Sequence, residues 1–185
     1  MRFQAHFLAA RRKERKHQQR GQALVEFALL MSFVMFPILA GAVDLSSLLD
    51  SHLGISYATR QAARTGAEED QNANADCAVL GSVHAATLNL SLVTVTKIII
   101  YQADANGNST GNQQVYLNNP GCPNPASPPP PSSSSWPPSS RQDTPPNEDS
   151  LGVEIDYSYS WQTGFIATGT FQGSDKTVMK LNPVV

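Results

Sequence analysis

Residues 20–36 read RGQALVEFALLMSFVMF, and this stretch decides how the rest of the chain is interpreted. The run is apolar enough to enter a bilayer, yet it carries Glu26 four residues after Gln22. An acidic side chain near the middle of a spanning helix costs roughly 2.5 to 3.5 kcal/mol on insertion scales. Glu26 therefore needs a partner, a route to the membrane interface or a function that outweighs this cost.

The apolar run continues to residue 43, and Gln22, Glu26 and Ser32 are its only polar residues. Roughly twenty-one residues of helix rise about 31 Å, which matches the hydrocarbon core of a bilayer. The sequence therefore predicts a transmembrane helix over residues 22–43, which Pro37 should loosen locally.

Charge is distributed unevenly along the chain. Seven of the thirteen Lys and Arg residues lie within residues 1–21, which we interpret as a basic leader without a fold of its own. From residue 21 onward, six basic residues face fourteen acidic ones, a balance of −8. Because phosphate binding needs basic surface, we expect no nucleic-acid partner for this acidic body. By the positive-inside rule the leader stays in the cytoplasm, and the chain beyond Asp44 lies outside it.

Beyond Asp44 the apolar residues recur three or four apart, which indicates an amphipathic extension of the same helix over residues 44–70. Its apolar stripe comprises Leu45, Leu48, Leu49, His52, Ile55, Ala58, Ala62 and Ala63. We expect this stripe to cover a sheet in an external, β-rich domain, residues 71–185. Within that domain the pattern of residues 75–90 fits either a short helix or irregular structure.

Two segments are rich in β-branched and aromatic residues and predict strands, namely 92–103 and 151–161. Residues 165–171 and 176–181 are interpreted as shorter strands. The Asn- and Gly-rich segment 104–112 is typical of a turn. The sequence thus predicts an α+β fold in which a long amino-terminal helix packs on a small antiparallel sheet.

Residues 120–146 hold eleven of the thirteen prolines and seven serines. Such a composition buries too little apolar surface to fold, so we predict a disordered, solvent-exposed insertion between strands. Trp136 within it is expected to be solvated rather than to anchor a partner.

The two cysteines, Cys77 and Cys122, both lie in the external part, where oxidation is permitted and a pair usually forms a disulfide. Two free thiols remain the alternative.

No residue pattern predicts an enzyme, a metal site, a cofactor or a small-molecule substrate. Residues 107–111 spell G-x-S-x-G, but the residues that follow do not predict the helix that a nucleophile elbow requires. Asp104, Asn106 and Asn108 have the spacing of a calcium loop, yet Val115 stands where the twelfth-position Glu should be. The four histidines have no partners at metal-ligand spacing.

Two cleavage sites are compatible with the amino-terminal segment. Ala40, Gly41 and Ala42 form an A-x-A site, so a secretory signal ending at Ala42 is one possibility. The length of the preceding apolar run and the presence of Glu26 oppose it. The other possibility is cleavage after Gly21, ahead of the apolar run.

Residues 21–27, GQALVEF, follow the basic leader in a pattern that resembles the prepilin-type processing signal. The start RGQALVEFAL resembles that of TadE-like minor pilins (pseudopilins) of tight-adherence (Tad/Flp) pilus systems. The segments YATRQAARTGA, residues 57–67, and VMKLNP, residues 178–183, are also similar to this family. The resemblance covers roughly the first 67 and the last ten residues.

The resemblance implies cleavage between Gly21 and Gln22 by a prepilin peptidase in the inner membrane. The family's conserved glutamate and aromatic residue map onto Glu26 and Phe27, which would set subunit register during assembly. The implied partners are other minor and major pilins and the pilus assembly platform, and the implied product is an adhesive type IVb pilus. The implied fold is pilin-like.

Two alternatives of a different class remain at this point. One is an uncleaved, single-pass anchored protein whose external domain binds a partner. The other is a secreted binding domain released after Ala42.

Overall fold

The computed structural model describes residues 3–69, 71–165 and 167–181, and for residues 3–20 it describes the backbone alone. The basic side chains of the leader and the last residues of VMKLNP therefore lie outside the described part of the chain. The chain divides into two compact units, residues 1–43 and 44–185.

One long helix, α1, runs over Phe3–Glu69 and continues through Pro37. The expected start near Gln22 is wrong, because the helix already includes residues 3–21. The leader between these points consists mostly of Ala, Arg, Lys and Gln, which have high helix propensity, and it contains no proline. The predicted extension beyond Asp44 is confirmed.

The unit 44–185 is an antiparallel sheet covered by the outer part of α1 and by a second helix, so the predicted α+β class is confirmed. The five strands are ordered β3-β2-β1-β4-β5 across the sheet. The remaining elements are α2 (Ala75–Thr87), β1 (Val93–Ala103), β2 (Ser109–Leu117), β3 (Ser133–Ser134), a 3₁₀ turn (Pro138–Ser140), β4 (Ser150–Ser160) and β5 (Thr170–Lys180).

The core lies between the helices and one face of the sheet. Small residues on α1 let the helix approach closely, and a Cβ atom added at Gly66 would lie 3.0 Å from side-chain atoms of both Leu151 and Val79. The buried apolar residues include Ile55, Ala58, Ala62 and Ala63 on α1, Val79, Leu80 and Val83 on α2, and Ile98, Ile100, Val153 and Ile155 on the sheet. The predicted stripe therefore identifies the buried face of α1 correctly from Ile55 onward. The prediction is wrong for Leu45, Leu49 and His52, which are exposed, and Leu48 is half-buried.

The two strands with the strongest pattern are confirmed as β1 and β4, and residues 75–87 are helical. The prediction of two short strands after residue 164 is wrong, since a single strand, β5, spans Thr170–Lys180. The sequence pattern did not predict strand β2, because the predicted turn, 104–112, overlaps the first residues of this strand. Polar residues occupy both faces of β2 near that start, so the alternation is hidden.

The Pro/Ser-rich insertion is ordered where it follows the edge of β2, so the expectation of disorder is wrong for this part. Ser134 and Ser133 of β3 pair with Gln114 and Val115 of β2. Trp136 is only 3% exposed and belongs to the core cluster, against the expectation of a solvated side chain. Extended Pro-rich backbone has no internal hydrogen bonds, so its amide groups remain available to pair with a sheet edge.

A buried cluster fixes the insertion against α2. The Arg141 side chain donates to the Asp76 carboxylate, and the Tyr116 hydroxyl donates to the same carboxylate at 3.0 Å. The Arg141 guanidinium carbon lies 4.9 Å from the ring centroid of Trp136, a cation–π contact. Burial, together with the negative charge of Asp76, raises the pKa of Tyr116 far above its usual value. The hydroxyl therefore stays protonated and continues to donate.

A disulfide joins Cys77 of α2 to Cys122 at the start of the insertion, as predicted for this pair. The bridge closes a loop with a sequence separation of 45 residues. In the chain-entropy model a loop of this size stabilises a fold by about 4 kcal/mol. The insertion is thus held by a covalent bond at its start and by Arg141 near its end.

We predict that Asp76→Ala lowers the free energy of unfolding by about 3 to 5 kcal/mol, because it leaves the Arg141 charge buried without its partner. Replacing both residues, as Asp76→Ala with Arg141→Met, should be less destabilising than the single change. Asp156→Ala is the matched control, since its partner Lys97 is 37% exposed and a surface pair contributes about 0 to 1 kcal/mol. Denaturant unfolding of the full chain in detergent measures all three. Equal losses for Asp76→Ala and Asp156→Ala would contradict the cluster's role.

Candidate functional site

Gly21 occupies a position in α1 where a larger side chain would meet no obstacle. A Cβ atom built at this residue has no neighbouring atom within 4 Å. Glycine in a helix interior costs about 1 kcal/mol relative to alanine. Packing within the described chain therefore gives no reason for a glycine here, whereas Gly66 and Gly54 on the same helix are tightly enclosed.

Gln22 and Glu26 lie one turn apart on the exposed surface of α1. The Gln22 side-chain amide donates to Glu26 Oε1 at 3.0 Å. This bond satisfies one of the two carboxylate oxygens, and no cation among the described side chains pairs with the charge. Phe27, beside Glu26, is also exposed. The four predicted site residues at this end, Gly21, Gln22, Glu26 and Phe27, thus form one short exposed segment.

No described side chain of its own unit buries the apolar surface between residues 22 and 43. The most apolar 18-residue window of this helix has none of its residues buried. Among the described residues there is thus one amino-terminal helix that is compatible with a membrane anchor in length and composition. Ser32 adds no unpaired polar group, because its hydroxyl donates to the Ala28 carbonyl at 2.8 Å.

The G-x-S-x-G and calcium-loop-like motifs both lie at the turn between β1 and β2, where their residues shape the turn. The G-x-S-x-G string, residues 107–111, crosses the β1–β2 turn and is followed by strand β2, not by a helix. Asp104 accepts hydrogen bonds at 2.8 Å from the backbone N–H groups of Asn106 and Asn108, so it shapes this turn. Gly107 has a φ of 80°, which favours glycine at that point of the turn.

The junction just after the apolar run carries a buried carboxylate that the sequence analysis did not single out. Asp44 is 0% exposed and accepts two hydrogen bonds from Thr163, from the backbone N–H at 2.8 Å and from the hydroxyl at 2.6 Å. The Tyr159 hydroxyl lies 3.5 Å from the Asp44 carbonyl oxygen. Burial raises the pKa of Tyr159, and the charge of Asp44 raises it further. The β4–β5 loop is therefore tied to the first turn of the domain.

One sequence signal points to this junction in retrospect. Asp44 is the first acidic residue after Glu26 and stands at the boundary between the apolar run and the amphipathic pattern. Its partner Thr163, however, lies 119 residues later in a loop without a distinctive pattern. The pairing of Asp44 with Thr163 depends on how strand β4 packs against the helix, and the sequence pattern alone does not define this packing.

Comparison with known families gives one match to this part of the chain. Residues 21–64 match the family model described as TadE-like protein, which confirms the resemblance over these residues. The matched stretch is 44 of 185 residues, starts at Gly21 and includes Glu26, Phe27 and Asp44. Comparison with curated proteins and with solved structures yields no match.

We predict that Thr163→Val lowers the free energy of unfolding by about 1.5 kcal/mol, the low end for a hydrogen bond to a charged group. Valine keeps the shape of threonine and the backbone bond to Asp44 but removes the hydroxyl, which donates to Asp44 and also accepts from the Phe165 backbone N–H at 3.2 Å. Thr168→Val, an identical change at an exposed position of the same loop, is the control and should stay within about 0.5 kcal/mol of the unmodified chain. Denaturant unfolding in detergent measures both. Indistinguishable values would show that the hydroxyl bond to Asp44 adds no stability.

Proposed function

We propose that this chain is a TadE-like minor pilin that takes part in assembly or initiation of an adhesive Tad pilus. In this proposal the leader lies in the cytoplasm, residues 22–43 cross the inner membrane, and the domain from Asp44 onward is extracytoplasmic. The match of residues 21–64 to TadE-like proteins supports it. The single uncovered apolar helix supports the membrane location.

The observation that carries the proposal is the family match that begins at Gly21, and the open space around Gly21 is compatible with it. Glycine destabilises a helix, and no packing contact requires it at position 21. Its presence is explained when another molecule must bind or unwind the backbone there. A prepilin peptidase that cuts between Gly21 and Gln22 is such a molecule. Because glycine has a low helix propensity, the helix is easiest to unwind at the bond to be cut.

Cleavage at this bond changes the surroundings of Glu26. Gln22 becomes the amino terminus with a free positive charge, and Glu26 comes to lie in the first turns of the helix. The positive end of the helix dipole favours a carboxylate there by about 0.3 to 1 kcal/mol. The new terminus also brings Glu26 closer to the membrane interface, where a charge is less costly.

Glu26 then has a partner only between subunits. When apolar helices bundle away from water, a carboxylate and the free amine of a neighbouring subunit attract each other strongly because the surroundings have a low dielectric constant. We assign to Glu26 the role of fixing the axial register between neighbouring pilins, with Phe27 packing beside it. The assembly platform would move the subunit from the bilayer into such a bundle.

Release of a secreted domain after Ala42 is the second candidate function. The compact unit begins at Asp44, two residues beyond that site, and it retains the outer part of α1 that covers the sheet. A released domain would bind its partner without a polymer and would need neither Gly21 nor Glu26.

We predict that Glu26→Val leaves membrane insertion intact but lowers co-purification with the other pilins by about tenfold or more. A loss of about 1.4 kcal/mol in pairing between subunits already gives a factor of ten. Ser32→Val is the matched control, since it also removes a polar side chain from the apolar run. Its hydroxyl bonds within its own helix, so this change should not affect assembly.

The measurement is the amount of each pilin recovered with a tagged version of this chain from detergent-solubilised membranes. Recovery of Glu26→Val complexes at the level of the Ser32→Val control would contradict the register role. Equal losses for both variants would indicate a general effect of altering the apolar run instead.

A further inference from the structure

The segment from Tyr157 to Ser174 contains no Asp, Glu, Lys, Arg or His over eighteen consecutive residues. Five of the fourteen aromatic residues of the chain fall within it, at positions 157, 159, 161, 165 and 171. This segment forms the end of β4, the β4–β5 loop and the start of β5. A surface loop of a water-soluble domain is usually richer in charge.

The same loop is fixed at the level of Asp44. Two hydrogen bonds join Thr163 to the Asp44 carboxylate, and the Ser47 hydroxyl donates to Gln162 at 2.7 Å. Asp44 directly follows Val43, the last residue of the apolar run. The loop therefore lies beside the first turn of the domain, where the helix leaves the predicted membrane span.

Large apolar side chains at this level are exposed. Phe165 in the loop is 53% exposed, and Phe171 on β5 is 45% exposed. Leu45 and Leu49 on α1 are also exposed, and together with Phe171 they line an open apolar groove over Tyr157. At 1.5 Å per residue these two leucines stand about 3 Å and 9 Å beyond Val43 along the helix.

We define the interfacial face as Leu45, Leu49, Trp161, Phe165 and Phe171. Trp161 is half-buried and its ring packs edge-on against Tyr159, whereas the other four side chains are exposed. We propose that this face rests in the extracytoplasmic membrane–water interface of the bilayer that holds residues 22–43. The inference depends on the proposed membrane location of that segment. Before assembly it would hold the domain against the bilayer, and it would be released when the subunit leaves the membrane.

Three properties of the face fit this environment. The membrane–water interface extends roughly 5 to 8 Å beyond the hydrocarbon core on each side, which is comparable to the range that Leu45 and Leu49 cover. Trp is enriched in that layer because its ring is apolar and carries one N–H donor, which applies to Trp161, and Phe and Leu side chains supply the apolar surface that enters the acyl boundary. The lack of formal charge in the loop removes the main desolvation cost of entering it. The hydroxyl and amide groups of Gln162, Thr168 and Thr170 remain able to bond to water and headgroups.

The experiment attaches an environment-sensitive nitrobenzoxadiazole dye to single introduced cysteines. Because Cys77 and Cys122 are bridged, only the introduced thiol reacts in the unreduced protein. Phe165→Cys and Thr168→Cys each place the dye in the loop, and Thr168→Cys retains every aromatic residue of the face. The full chain is reconstituted in vesicles with and without lipids that carry a quenching nitroxide near the headgroup.

Two control positions complete the design. Ala105→Cys places the dye in the exposed β1–β2 turn, at the opposite end of β1 from Val93. Phe33→Cys places it in the apolar run, where the side chain is 82% exposed in the chain alone. Phe33→Cys thus tests the membrane location independently of the face.

We expect dye at residues 165 and 168 to emit at shorter wavelength than dye at residue 105 and to lose intensity with the nitroxide lipids. Dye at residue 105 should show neither change. A shift to shorter wavelength at residues 165 and 168 without lipid quenching would indicate that a protein covers the face and would overturn the proposal.

Emission at residues 165 and 168 equal to that at residue 105 would also overturn it, by showing that the face is in water. Lipid contact is detected at residue 33 by blue-shifted emission and by nitroxide lipids labelled deeper in the acyl chains. If residue 33 reports lipid and the loop does not, only the interfacial face is wrong. If residue 33 does not report lipid, the membrane location itself is wrong.

Discussion

The described residues of its own unit do not bury the apolar surface of residues 22–43, and this constraint determines the interpretation of the molecule. The outer part of α1 buries Ile55, Ala58, Ala62 and Ala63 against the sheet, so the same helix needs outside cover over only part of its length. Water is a poor environment for the uncovered part, because each buried methylene is worth about 0.8 kcal/mol. In the proposed function, a bilayer before assembly and a bundle of similar helices afterwards would both supply this cover. Glu26 would be costly in the bilayer and would gain a partner in the bundle.

Both edges of the sheet in the domain from Asp44 onward are protected from pairing with another chain. The insertion pairs with β2 through Ser133 and Ser134 and so covers one edge of the sheet, which would otherwise present unpaired backbone groups. The Cys77–Cys122 bridge and the buried Arg141–Asp76 pair hold that cover in place. At the other edge, β5 carries Asp175, Lys176 and Lys180, charged residues that discourage pairing with another chain. Both edges of the sheet therefore disfavour strand pairing between domains.

The sequence predicted those features that depend on local pattern. The α+β class, the buried stripe of α1 from Ile55 onward and strands β1 and β4 follow from periodicity. The assignment of cleavage and register residues from the GQALVEF string stays a prediction. The ordered structure of the insertion could not be predicted from its composition. It depends on the bond from Arg141 to Asp76, an acidic residue about sixty positions earlier, and on the stacking of Arg141 over Trp136. Strand β5 was predicted as two short strands because Gly173 and Asp175 interrupt its apolar pattern. Gly173 is there because a Cβ would lie 2.6 Å from the Tyr157 ring, a contact between strands that no local pattern reveals.

The central claim is that the apolar half of α1 is retained as the amino terminus of the mature subunit. The most direct test is the intact mass of the chain isolated from its native membrane fraction, supported by sequencing of its first residues. The account predicts a chain that begins at Gln22 and retains Glu26. A chain that still carries the leader would indicate a permanently anchored protein, and a chain that begins at Val43 would indicate a released domain. Either result would contradict the account.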